Sequence, residues 1–166
     1  MKRVIELMKK DVVTVKKSIS VLEAIMVMRD KGIGAVVVAE GKHPVGIFTE
    51  RDLVNKVLVD TEVKDLENTS LEKFMSKDLI VTSPLKPCDE VIELMKTRHI
   101  RHIPVVEKGE LIGIVSLRDL LWYYHEELLE ELLIQIKDKT IISEELHKVK
   151  CELAKLKGSA SQEKGE

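Results

Sequence analysis

GIFTERDL, Gly46 to Leu53, returns as GIVSLRDL, Gly113 to Leu120, 67 positions further along the chain. Sliding the whole sequence by that offset aligns it on itself without a gap. Met8 falls on Met75, and Lys10-Asp11 on Lys77-Asp78. Glu23, Ile25 and Met28 fall on Glu90, Ile92 and Met95; Ile33 falls on Ile100 and Val38 on Val105. Matches spread over a whole unit at a single offset mark a duplicated supersecondary unit.

Both copies parse the same way. A β-rich run opens each, VVTV at Val12 to Val15 and LIVT at Leu79 to Thr82,. A helix follows. In the first copy Ser20 and Glu23 make a capping box, with Val21, Ile25 and Met28 on one face,. In the second, Pro87 sits near the first turn, ahead of the stripe Cys88, Val91, Ile92 and Met95,. Next comes a buried strand, AVVVA (Ala35 to Ala39) or IPVVE (Ile103 to Glu107), and a hairpin turn, EGKH or EKGE,. A further strand then runs into a helix that begins at Thr49 or Ser116. Each unit is therefore β-α-β-β-α. One such unit buries too little surface to be comfortable alone, so two copies are expected to share a core. A polar linker around Asp60 to Thr69 joins them, and Thr69 with Glu72 is expected to cap a short helix over Ser70 to Met75.

Composition narrows the function classes. The 166 residues carry 27 basic and 29 acidic side chains, a net charge of −2 at pH 7. That balance gives no strong pull toward nucleic acid or an anionic membrane. KRVIELMKK and KVKCELAKLK are basic islands, but glutamates interrupt them,. Cys88 and Cys151 have neither metal-ligand nor redox spacing and point to a reducing compartment,. The basic N-terminus lacks an apolar signal region, and no apolar run approaches a membrane span, so the expected location is cytoplasmic. No P-loop, GxSxG, HExxH or CxxC string is present, so an enzyme is not expected,. His99 and His102 read as packing or hydrogen-bonding residues, since no carboxylate or cysteine lies near them at ligand spacing; no metal is expected,.

The opening phrase has two readings. T-x-x-D and S-x-x-D are capping boxes, in which Thr49 or Ser116 accepts from the backbone at the helix start and Asp52 or Asp119 bonds back. The same corner also presents a hydroxyl and a carboxylate at a helix N-terminus. Helix N-termini attract phosphate, and a carboxylate can accept from the two neighbouring hydroxyls of a ribose.

The order β-α-β-β-α, the duplication, RHIPVVEKGELIGIVSLRDL in the second copy and GIFTERDL in the first resemble a tandem pair of CBS (cystathionine β-synthase) domains, the Bateman module. The resemblance covers Val4 to about Tyr124. It implies an α/β (α+β) fold of two repeats packed with pseudo-twofold symmetry, residues 1–62 and 63–124. A C-terminal helical extension (125–157) and a disordered tail (158–166) are expected beyond them. In the resembled family the aspartate of the motif commonly holds the ribose of an adenosine ligand, a role that falls on Asp52 and Asp119. The hydroxyls of Thr49 and Ser116 would then lie near the phosphate, with Arg51 and Arg118 as further phosphate candidates. Adenine would sit against the first strand of each copy, at Val13 and Thr14 or Ile80 and Thr82, and near the residues before Pro104. The basic residue preceding that proline is met by Arg101 and His102. Copy one departs from the pattern, with Gly34 and Ala35 there and Val37 in place of the proline. The expectation is that the Asp119 site binds, whereas the Asp52 site lacks a basic grip unless Lys42, His43 or Arg51 supplies it.

The C-terminal stretch reads separately. A helix is expected through LLWYYHEELLEELLIQIK, anchored by Trp122, Tyr123 and Tyr124. After DKT, Ile142, Leu146, Val149, Leu153 and Leu156 follow a/d spacing, which suits packing on the chain's own domain or dimer mate, or docking to another protein,. The functional expectation is a stand-alone regulatory module that binds AMP, ADP, ATP or S-adenosylmethionine and forms a homodimer. The alternatives are an interaction scaffold acting through the C-terminal helix and, third, a nucleic-acid binder.

Overall fold

A computed structural model describes residues 2–60 and 65–136 of the chain. Two compact units are present, Met1–Leu121 and Trp122–Glu166, and the first holds both repeats as far as Leu121. The expected seam from Ile142 to Leu156 and the tail from Gly158 fall outside the described residues, as does Cys151.

The first unit opens with a short helix α1 (Val4–Leu7) and strand β1 (Thr14–Val15), then helix α2 (Val21–Lys31), β2 (Ala35–Glu40) and β3 (His43–Thr49). A helix follows from Glu50 to Asp60, with α-helical ends, α3 (Glu50–Asp52) and α4 (Leu58–Asp60), around a π-helical middle at Leu53–Val57. The second copy supplies a 3₁₀ turn (Leu71–Lys73), helix α5 (Cys88–Thr97), β4 (His102–Glu107) and β5 (Glu110–Ser116). Helix α6 runs from 117 to 136.

In copy one the sheet order is β1-β2-β3, the first pair parallel and the second antiparallel. Copy two repeats the hairpin, β4 against β5, with the register shift at Val105/Val106 matching that at Val38/Ala39. The opening strands are shorter than their sequences predict. VVTV pairs only at Thr14 and Val15, and LIVT contributes a single parallel bridge from Thr82 to Val105. Ser20 and Glu23 form the expected capping box on α2. The cap of the 3₁₀ turn is Ser70, which accepts from Glu72 N, not Thr69, whose hydroxyl donates to the Asp65 carbonyl.

The two copies exchange their leading arms. Residues 69–76, ahead of copy two, bond to copy one: Val21 N donates to Thr69 O at 2.8 Å, and Leu71 N to Ile19 O at 2.9 Å. Residues 2–9, ahead of copy one, do the same to copy two: Cys88 N donates to Lys2 O at 3.0 Å, and Val4 N to Lys86 O at 3.0 Å. Every one of these contacts has its counterpart at the 67-residue offset. The apolar result is a shared interior. Leu71, Phe74 and Met75 join Val21, Ala24, Val36, Val38 and Phe48 in one buried cluster. Burying a side chain of the size of Phe48 or Leu71 contributes about 1.5–3 kcal/mol. Much of copy one's core would therefore be lost without the arm of copy two. Among the described residues no helix is long and apolar enough to cross a membrane.

Candidate functional site

The site is built on the end of β3. Thr49 keeps an extended backbone, and the chain then turns into α3. Its hydroxyl accepts from Asp52 N at 3.2 Å, while Asp52 Oδ2 accepts from Thr49 N at 2.9 Å and from Thr49 Oγ1 at 2.7 Å. The other carboxylate oxygen, Oδ1, lies 2.6 Å from Lys56 Nζ and accepts from Ser76 Oγ at 3.4 Å. Lys56 also donates to Ser76 Oγ at 3.1 Å. Asp52 is thus buried but fully partnered, and the capping role is real.

The same corner in copy two is paired differently. Ser116 Oγ donates to Asp119 Oδ2 at 2.6 Å and accepts from Asp119 N at 3.2 Å. Asp119 Oδ1 meets Lys9 Nζ at 3.2 Å. Burial works against the Asp119 carboxylate, but the bonds from Ser116 and Lys9, with Arg118 nearby, outweigh it and hold the group below its ordinary range. Lys9 is the repeat counterpart of Ser76, delivered by the exchanged arm. Neither lysine was singled out by the sequence, although Lys56 stands at i+4 from Asp52 on a helical segment, a readable ion-pair spacing.

Around Asp52 lies a cavity of about 500 Å³. Copy one lines it with Gly34, Ile47, Thr49 and the segment from Glu50 to Asp52, with Val54 behind. Copy two faces them with Ser76, Asp78, Leu79 and Ile80, and with His99 to His102 just before β4. Arg101 and His102, expected beside Asp119, therefore line the cavity of Asp52. Two residues of copy two, Arg101 and His102, thus stand in the wall of a cavity whose own copy has Gly34 and Ala35 at the matching positions. Arg51 is in the lining too, and its guanidinium donates to the His99 carbonyl. His99 sits at a positive φ of 53°, the left-handed region, where copy one has Gly32 at 61°.

His102 lies between the two corners. Burial pushes its imidazole below the ordinary 6.5; Glu50 and Asp119 pull upward, while Arg101 and Arg118 push down with burial. The remaining expected residues lie elsewhere. Pro104 is buried in β4, and its carbonyl accepts from Thr82 N at 3.0 Å. Thr82 is buried with no protein partner for its hydroxyl. Val13 packs against copy one's core, and Thr14 is exposed in β1. None of these four lines the Asp52 cavity. Glu50, Asp78 and Gly34 do line it and were missed as ligand candidates, because only the pairing of the copies brings them together. Among the described residues no cluster of three or more metal-ligating side chains is present.

A cavity walled by two copies of one β-α-β-β-α unit is the architecture to compare with known proteins. The family model described as the CBS domain matches this chain twice, over residues 4–59 and 63–126. The chain belongs to the CBS domain family. Its two copies form a tandem CBS pair. An uncharacterized protein of Methanopyrus kandleri is 36% identical over 118 residues, 70% of this chain, and the chain spans 59% of that relative's length. Among solved structures, a CBS-domain-containing protein of Agrobacterium tumefaciens superposes with a TM-score of 0.69 at 35% identity, covering 74% of this chain and 99% of that one. A CBS domain protein of Pyrobaculum aerophilum, complexed with AMP, superposes with a TM-score of 0.64 at 27% identity, covering 71% of this chain and 89% of its own.

Proposed function

We propose that this CBS pair is a non-enzymatic regulatory module that holds an adenosine-containing ligand in the Asp52 cavity. The observation that carries the reading is that one cavity takes its walls from both copies, with a carboxylate at a helix start on one wall and Arg101 and His102 on the other. Its volume is within the range of small-molecule sites, roughly 300–1,000 Å³. Ile47, Ile80 and Val54 offer an apolar surface to a purine. Asp52 Oδ1, held by Lys56 and the longer contact from Ser76, is the oxygen that turns to ribose hydroxyls, while Oδ2 stays with Thr49. AMP in the Pyrobaculum protein supports the same ligand class here.

Signalling follows from linkage. A ligand touching both copies favours the arrangement of copies that fits it, by no more than its differential affinity for the alternatives. Exposed apolar residues on the helices of the first unit, Met26, Leu58 and Val59, support a homodimer through those faces,. A second reading, a protein-docking role for α6, is supported by the exposure of Leu128, Leu129, Leu132 and Leu133.

The test is thermal unfolding with adenosine, AMP, ADP, ATP and S-adenosylmethionine. A ligand at 100 times its Kd adds about 2.7 kcal/mol of stability. Wild type is expected to gain melting temperature with at least one of these compounds. Asp52→Ala and the exposed Arg101→Ala lose that gain, and Asp119→Ala keeps it. No gain with any compound overturns the reading.

A further inference from the structure

We infer that the Asp52 cavity admits an adenosyl ligand with no more than one phosphate and turns away the triphosphate, with Glu50 setting the limit. The inference rests on the adenosine reading above. A Cβ placed on Gly34 would stand 3.0 Å from Glu50 Oε2 and 3.6 Å from His102 Cε1. The Glu50 carboxylate and the His102 ring thus flank one point of the cavity wall, next to Arg101 in sequence and in the lining. Arg101, the cation expected to meet a phosphate, lines the same cavity.

The charges there are nearly balanced, so a polyphosphate would add unmatched negative charge. Glu50, Asp52 and Asp78 line the cavity against Arg51 and Arg101. Lys56, at 2.6 Å, answers Asp52. Arg51 already donates to the His99 carbonyl. Burial works against a charged His102. Arg101 can match one phosphate; a second and third would bring more negative charge toward Glu50 and Asp78, with Arg51 the one other Lys or Arg in the described lining.

The duplication supplies its own control. The repeat counterpart of Glu50 is Leu117, which starts its helix with the same backbone bond: Leu117 N donates to Arg101 O at 2.8 Å, and Glu50 N to Gly34 O at 3.1 Å. A carboxylate is therefore not required to turn this corner. Its presence in one copy alone is a property of the cavity.

The experiment measures affinities for AMP and ATP by calorimetry on the full chain, without divalent cations, for wild type, Glu50→Leu and Glu50→Gln. Wild type is expected to bind AMP about tenfold more tightly than ATP. Both variants shrink that ratio at least about threefold, mainly by gaining ATP affinity. Added salt narrows the wild-type ratio more than that of the variants. ATP binding as tightly as AMP in wild type, or an unchanged ratio in both variants, overturns the inference and leaves the adenosine reading standing. Binding of neither compound to wild type overturns the inference, and the adenosine reading falls with it only if adenosine, ADP and S-adenosylmethionine fail to bind as well.

Discussion

Met8 of the first repeat lies against Gly113 of the second, its Sδ 2.6 Å from where a Cβ on that glycine would stand. Met75 stands in the same relation to Gly46, at 2.9 Å. Residues that match along the sequence thus touch crosswise in space. Beside each glycine the exchanged arm forms a reciprocal pair of backbone bonds, Lys9 with Ile114 and Ser76 with Ile47, between 2.8 and 3.1 Å. The glycines are there because the arm passes too close for a side chain.

Alanine at either glycine should therefore loosen the joint between the copies. The methionine can swing aside, but the Lys9 carbonyl is 3.1 Å from the added atom at Gly113, and the Ser76 carbonyl 3.0 Å at Gly46. Those oxygens belong to the backbone pairs and cannot move alone. Gly113→Ala and Gly46→Ala are each expected to cost about 1–3 kcal/mol, read by denaturant unfolding. Stability equal to wild type in both would show that the arm is not tightly seated.

The repeat, its strands and its helix starts were legible because they are local. Short apolar runs mark β2 and β4, and Ser20, Thr49 and Ser116 announce their helices through side chains three residues on. The crosswise arms were not legible. Nothing in MKRVIELMK says whether it packs on copy one or copy two, because the 67-residue match is the same in either case. That ambiguity bears on which cavity these residues line. Arg101 and His102 read naturally as partners of Asp119, their neighbour in sequence, yet the segment before β4 lines the cavity at the start of copy one's helix. Glu50 and Asp78 escaped notice because an acidic residue in a first helical turn, or on an exposed arm, has an ordinary local explanation.

The two site aspartates should respond differently to losing their lysines. The Asp52 side chain is 11% exposed beside a Lys56 that is 43% exposed, whereas Asp119 is 23% exposed and its Lys9 is 58% exposed. An exposed pair contributes about 0–1 kcal/mol, while removing one partner of a buried pair strands the other charge. Lys9→Met should cost less than about 1 kcal/mol, and Lys56→Met should cost clearly more. Equal losses in chemical denaturation would mean that Ser76 and Thr49 alone satisfy Asp52.

Acid should destabilise the fold in two stages, both of the same sign. His102 has its folded-state value pushed below 6.5, so the unfolded chain takes up the proton first. Stability is then lost as pH falls from about 7 through the range in which the unfolded histidine titrates. Asp119 is held below its ordinary 3.8, so its contribution is present above that value and fades as pH drops through the lower folded value,. The groups facing His102 are Glu50, Asp119, Arg101 and Arg118. Melting temperature followed from pH 8 to pH 3 should show His102→Gln flattening the upper limb and Asp119→Asn the lower. A His102→Gln profile unchanged between about pH 7 and 5 would contradict the histidine assignment.

His99 offers the opposite experiment, a substitution expected to stabilise. It follows the end of α5 at φ 53°, where the repeat's first copy places Gly32 as the left-handed cap of α2. A side chain in that region costs about 1–2 kcal/mol, part of which glycine returns through its larger entropy loss on folding. The contact Arg51 makes is to the His99 carbonyl, which glycine keeps. His99→Gly should therefore raise stability by about 0.5–1 kcal/mol, with the helix ending unchanged. His99, however, also lines the Asp52 cavity. If it also touches a bound adenosyl compound, the same substitution will weaken ligand binding while the free protein melts higher. A variant that melts lower than wild type without ligand would show that His99 earns its strained backbone through a contact of its ring with the fold itself.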